Sequence, residues 1–304
     1  MKNLYRGLLR RTVSPRLLAR IRHLSHIDDR LRDVEAARAG LAEIWLRQQH
    51  PALFSETSPG LPEFSVYSQN GEDGLLLSLI ERTGAVSKTF VEIGVEDARE
   101  CNTAILAFLL GWDGLMLEAN PMGADAARRL AARLLARKRN RLEILQAFVT
   151  AENVNGLIEE AGLSGELGVL SIDVDGVDYW LWKAMRAVNP RLVVIEYNAS
   201  FGATRAVTVP YAPDFRCPRE RPGSFYHGAS LAALELLGRQ LGYALVAVES
   251  AGVNAFFVRQ DLCPPALAGR SSVDLFRPHL ERSKTLSPER QWASVQHLPL
   301  VTVT

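Results

Sequence analysis

Short runs of consecutive apolar residues alternate along this chain with stretches in which apolar residues return every three or four positions. The runs are Thr89–Ile93, Leu115–Leu117, Leu142–Val149, Gly168–Asp173 and Arg191–Glu196. Between them, helical spacing occupies the segment after Ile93, Ala126–Arg141, Asn153–Ala161 and the stretch VDGVDYWLWKAM. Strands alternating with helices imply βαβ units and a parallel sheet. Ser230–Leu241 is a further helix, with Gly242 as its C-terminal stop. Tyr243–Val248 and Asn254–Arg259 then form two strands joined by Glu249–Val253, a hairpin at one edge. The expected fold is α/β: a doubly wound, mostly parallel seven-stranded sheet with an antiparallel edge hairpin.

The flanks differ. Residues 1–60 are expected to be a helical N-terminal extension and linker, residues 61–262 the α/β domain, and residues 263–304 an irregular C-terminal tail. Residues 1–27 carry seven basic residues among leucines, with no acid before Asp28. Such a helix is either a solvated arm or a peripheral contact with an anionic membrane surface, on the cytoplasmic face. Asp28–Gln49 is also helical and either covers the domain or pairs with a second copy, which would make a homo-oligomer. A loop from Ala199 to Gly228, with four prolines and four arginines, has the length of a lid or binding loop.

Composition narrows the class rather than the function. The 304 residues are 47% hydrophobic and 23% charged, with a net charge of +1, which offers no argument for nucleic acid. Cys101, Cys217 and Cys263 are odd in number and widely spaced. They form neither a disulfide framework nor a zinc motif, and a reducing cytoplasm is expected. No apolar run approaches the ~20 residues that span a bilayer. No secretory apolar segment follows the basic N-terminus, so no cleaved signal peptide is expected.

The candidate chemistry gathers at strand ends, where open parallel sheets bind ligands. Gly94 follows the first strand, where a missing side chain lets a ligand approach the backbone. Glu118 closes the second, one βα unit later, where a carboxylate can accept from both hydroxyls of a ribose. A nucleoside-containing ligand is the reading these two support. No GxGxxG occurs, which weighs against a nicotinamide dinucleotide.

Four stretches together resemble the class I S-adenosylmethionine-dependent methyltransferases, FkbM-type enzymes and their relatives in particular. They are Tyr67–Asp73 (YSQNGED), Phe90–Asp97 (FVEIGVED), Asn102-Thr103 with Gly111–Pro121 (GWDGLMLEANP), and Ser171–Asp175 (SIDVD). The resemblance spans about residues 65–260 and implies a Rossmann-like fold, S-adenosylmethionine as cofactor and a small-molecule or saccharide acceptor methylated at a hydroxyl. It implies that Gly94 passes close to the methionine part, Glu92 bonds its amino group, Glu118 takes the ribose, and Phe148 flanks the adenine. Gln69 and Glu72 either reach the cofactor mouth or cap a helix. Glu96 and Ala98 stand where this family commonly has glycine or small residues, a departure that leaves open a methyltransferase-like binding or scaffold protein without catalysis.

Asp173, Asp175 and Asp178 follow one strand, and Glu196 and Asn198 the next. Oxygen donors from adjacent loops suit Mg²⁺, and Asp173, Glu196 and Asn198 are the candidate ligands, as in metal-dependent O-methyltransferases. The alternative has Asp173 bonding the acceptor without metal while Asp175 and Asp178 cap the next helix. His227, before the Ser230 helix, is the candidate general base, and Asp173 is the other candidate catalytic residue and also a candidate cofactor contact.

Overall fold

The computed structural model describes residue 41 and residues 61–84, 87–217 and 225–304. The N-terminal arm and linker, apart from Leu41, lie outside the described residues, as do Arg219 and Arg221 of the long loop. Among the described residues no helix is long and apolar enough to cross a membrane.

Helix α1 (Glu72–Thr83) precedes strand β1 (Thr89–Ile93). Then come α2 (Ala104–Phe108), β2 (Asp113–Glu118), α3 (Pro121–Leu134), β3 (Leu142–Gln146), α4 (Val154–Glu160), β4 (Gly165–Ile172), α5 (Asp178–Ala184) and β5 (Val188–Glu196). After a 3₁₀ turn at Ala199–Phe201 the chain forms β6 (Val207–Thr208), α6 (Leu231–Gln240), β7 (Tyr243–Val248) and β8 (Asn254–Arg259). The main sheet has the order β3-β2-β1-β4-β5-β8-β7. β1 to β5 pair in parallel and β8 runs antiparallel to both neighbours. This is the doubly wound sheet with an edge hairpin that the apolar pattern predicts. After β3 the chain returns to the other side of β1 to make β4, and that reversal opens a crevice at the carboxyl ends of β1 and β4.

Alternation along the strands assigns the two faces. Val91, Ile93, Leu115, Leu117, Leu170, Ile172, Val193 and Ile195 join one buried core with residues of α4, α5 and α6. Trp182 anchors it at 1% exposure, with ring centroids 4.8 Å from Phe257 and 5.7 Å from Tyr243. Glu92 and Ser171, paired in register across β1 and β4, face the other way. Trp180, two residues from Trp182, stays half-buried against Tyr211.

Several boundaries differ from expectation: α3 runs Pro121–Leu134 rather than Ala126–Arg141, and β2, β4 and β5 begin two or three residues earlier than their apolar runs. β3 stops at Gln146 rather than Val149, because a local turn takes over: Asn153 Nδ2 donates to the Phe148 carbonyl and Asn153 Oδ1 accepts from Thr150 N–H. The stretch read as an irregular tail carries α7 (Ser272–Leu275), α8 (Leu280–Thr285), α9 (Pro288–Val295) and β9 (Val301–Thr302). β9 pairs antiparallel with β6. Trp292 of α9 packs edge-on to Phe201, and Gln291 accepts from the Ser200 hydroxyl at 2.8 Å. These helices run four to eight residues, too short to stand alone, and tertiary contacts hold them: Ser272 N–H of α7 donates to Glu235 of α6, and α9 packs on the turn after β5.

Candidate functional site

The loop after β1 is shaped by buried carboxylates. Glu92, 1% exposed, accepts four hydrogen bonds: from Asn102 N–H (2.8 Å) and Ser171 Oγ (3.3 Å) on Oε1, and from Thr103 N–H (3.0 Å) and Thr103 Oγ1 (2.5 Å) on Oε2. A carboxylate has about four acceptor positions, so none is left for the amino group the resemblance assigned to it. Burial pushes this carboxyl up to about 7 against the pull of those donors. Glu92 instead fixes where the Asn102-Thr103 segment leaves the loop.

Gly94 has φ 87°, in the left-handed region, and a Cβ there would stand 1.7 Å from the Asp173 carbonyl oxygen. Only glycine fits, and the neighbour that demands it is the protein's own β4 loop rather than a ligand. Glu96 (φ 49°) and Ala98 (φ 62°) also adopt left-handed backbone, so the two positions noted as glycine-like in the family do have glycine's conformation here. The turn they make brings Val95 N–H (3.2 Å) and Glu96 N–H (2.7 Å) onto Glu118 Oε2. Glu118 Oε1 accepts from Asn120 N–H at 2.6 Å, which leaves that oxygen one acceptor position. Asn120 in turn caps α3 through Met122 N–H. Phe148, half-buried beyond β3, lies under the Arg216 guanidinium at 4.8 Å.

The YSQNGED stretch is structural in its acids. Asp73 Oδ2 accepts from the N–H groups of Val66, Tyr67 and Ser68 at 2.6, 2.7 and 3.1 Å, and burial raises its carboxyl to about 6. Glu72 accepts from Asn70 N–H and from Asn254 Nδ2. Gln69 is exposed. Tyr67 O accepts from Cys101 N–H at 3.2 Å, tying this turn to the loop after β1.

At the ends of β4 and β5 the acids behave differently. Asp178, fully buried, closes the turn before its own helix by accepting from Val174 N–H (2.8 Å) and Gly176 N–H (3.0 Å), and burial raises it to about 6. Asp173 is partly exposed, and its carboxyl is pushed well above the usual range, first by burial and then by the charges of Asp178, Asp175 and Glu92. Glu196, 6% exposed, is raised the same way by burial and by Asp173, Asp175 and Asp178. Each of two triplets, Asp173–Asp178–Glu196 and Asp175–Glu196–His227, has donor atoms within 4.8 Å of one another.

Two expectations fail in this cluster. Asn198 is not placed as a metal ligand beside Asp173 and Glu196: its Oδ1 accepts from Ser200 N–H (3.0 Å) and Arg282 Nη1 (3.3 Å), while its Nδ2 donates to the Phe225 and His227 carbonyls. Asp173 and Glu196 therefore stand without Asn198 as the third ligand expected beside them. His227 is not poised as a base. Arg282 Nη2 lies 3.0 Å from its Nε2, and a guanidinium only donates, so Nε2 is the acceptor and the proton sits on Nδ1. Burial and the Arg282 charge hold this imidazole down to about 3. Arg282 comes from α8, in the stretch read as irregular, and no local pattern singles it out.

No family model matches this chain, and no curated protein matches it. Solved structures do. An O-methyltransferase from Bacillus cereus in complex with SAH is 18% identical at a TM-score of 0.39, over 71% of this chain and 87% of that one. The magnesium protoporphyrin IX methyltransferase (ChlM) from Synechocystis PCC 6803 with bound SAH is 12% identical at 0.40, over 73% and 99%. The mitomycin 7-O-methyltransferase MmcR is 19% identical at 0.35, over 62% and 56%. What the site can hold follows from this chain's own residues.

Proposed function

We propose that this protein is an S-adenosylmethionine-dependent methyltransferase of FkbM-like type, acting on a hydroxyl of a saccharide or secondary metabolite. One observation carries the reading: the Gly94–Asp97 turn and the Glu118 carboxylate meet at the carboxyl ends of adjacent parallel strands, beside the point where the sheet reverses direction. The remaining acceptor position of Glu118 suits a ribose hydroxyl, and Phe148 offers a ring for an adenine. Methyl transfer is an in-line displacement, so the protein's work is positioning and removal of the hydroxyl proton. Asp173 is the residue for that proton: it follows β4, it is partly exposed, and its raised proton affinity makes it a better base than an ordinary aspartate.

A second reading, a binding protein of the same fold without catalysis, draws on the four donors that fill Glu92 and on the loop amides folded onto Glu118. Calorimetric titration with S-adenosylmethionine and its demethylated product separates the two. Binding that is lost in Glu118→Ala supports the enzyme. No binding by a cooperatively folded protein sinks it. The acceptor class, the cytoplasmic location and the roles of residues 1–27 and of self-association remain part of this proposal.

A further inference from the structure

Two polar atoms in the cluster after β5 are buried without a hydrogen-bond partner, Glu196 Oε2 and His227 Nδ1. They lie 3.8 Å apart, on residues that are 6% and 1% exposed. Each unpaired buried group is unfavourable by about 1–3 kcal/mol, so two facing each other mark a place short of a ligand. With Asp175 they form a triplet whose donor atoms all fall within 4.8 Å. Three donors at about 2.0–2.2 Å from a shared metal stand about 3–4 Å apart, so an inward movement of about an ångström or less completes the set. The other triplet offers carboxylates alone, without an imidazole, and its Asp178 closes the turn before α5.

Two carboxylates and an imidazole are a donor set for a first-row transition cation, whereas Mg²⁺ and Ca²⁺ take oxygen alone. The imidazole also imposes a condition. Its single lone pair now accepts from Arg282 at Nε2. A cation on Nδ1 moves the ring proton to Nε2, where it would face a guanidinium N–H, donor against donor. The cation and the Arg282 contact therefore exclude each other. Until then Arg282, 3.9 Å from Glu196 Oε1 and 3.3 Å from Asn198 Oδ1, supplies positive charge to the cluster.

We propose that Asp175, Glu196 and His227 form a binding site for a divalent transition cation such as Mn²⁺ or Co²⁺, and that the cation displaces Arg282 from His227. The proposal does not depend on methyl transfer, since it is tested without nucleoside. The experiment titrates the full chain with Mn²⁺, following the free ion by electron paramagnetic resonance, and with Co²⁺, following its visible bands. One ion per chain is expected, with Co²⁺ bands that report a nitrogen donor. Affinity should fall at least about tenfold in His227→Gln and Glu196→Gln, and rise about tenfold or more in Arg282→Ala, which removes a charge-assisted competitor. Stoichiometric binding absent from both wild type and Arg282→Ala overturns the proposal. So does binding that His227→Gln leaves unchanged, or a Co²⁺ spectrum without nitrogen, which is read on the wild type and needs no variant to fold.

Discussion

Two groups of carboxylates lie a strand or two apart in this sheet and have opposite standing. At the ends of β1 and β2, Glu92 and Glu118 have seven donors between them, most from backbone amides of neighbouring loops. At the ends of β4 and β5, Asp173 and Glu196 crowd among like charges, and Glu196 keeps one oxygen unpaired. A buried carboxylate surrounded by amide donors is a structural device that holds a loop in shape. One surrounded by other carboxylates is a poor structural device and a good place for a proton, a cation or a polar substrate. The same residue type thus shapes loops on one side of the crevice, with one acceptor position of Glu118 to spare, and crowds unsatisfied on the other.

The largest effect should come from Glu92→Ala. Removing the acceptor strands the amides of Asn102 and Thr103 and two hydroxyls, and a loss of about 3–5 kcal/mol in urea unfolding is expected. Glu196→Gln is the counterpart, and here the sign should differ. Relieving a carboxylate among carboxylates should leave the midpoint unchanged or raise stability by up to about 1 kcal/mol. Equal losses in the two variants would break the comparison.

Stability against pH sharpens it further. Glu92 is raised from 4.5 to about 7, and Asp73 and Asp178 from 3.8 to about 6. Each binds its proton more tightly when folded, so its contribution is full below the lower value and is lost as pH rises through the upper one. His227 runs the other way: lowered from 6.5 to about 3, it contributes above 6.5 and loses that contribution as pH falls through about 3. The urea midpoint of wild type should therefore pass through a maximum between these limits. In His227→Gln the acid-side fall should be shallower while the fall toward neutral pH persists. A variant curve parallel to wild type on the acid side would show that His227 is not held neutral.

The sheet was legible because period alone identifies strands and helices, and strand ends follow from where the apolar runs stop. Glu92, Glu118, Asp173 and Glu196 were legible for the same reason, as acids at those ends. What each acid bonds was not. Glu92 and Ser171 sit on strands far apart in the chain, and their meeting depends on register. Asn198 looked like a hard ligand, but its amide is committed to the loop that carries His227. Arg282 lies 55 residues from His227, on a six-residue helix with no buried face to read. Side-chain partners across such separations are set by tertiary packing, which leaves no local trace.

The smallest expected effect tests the turn itself. Glu96 and Ala98 hold left-handed backbone that an L side chain adopts at about 1 kcal/mol. Glycine adopts it freely but loses more entropy on folding, so Glu96→Gly and Ala98→Gly should each stabilise by no more than about 0.5–1 kcal/mol, a rise of about 1–3 °C in Tm. The amide of residue 96 still reaches Glu118 in either background, because the contact is made by the backbone. The informative readout is the pair of effects together. If glycine raises Tm and also tightens nucleoside binding, the strained turn is what limits access to Glu118. If Tm rises and binding stays as it was, the turn is only an expensive way of shaping a loop that Glu118 already holds.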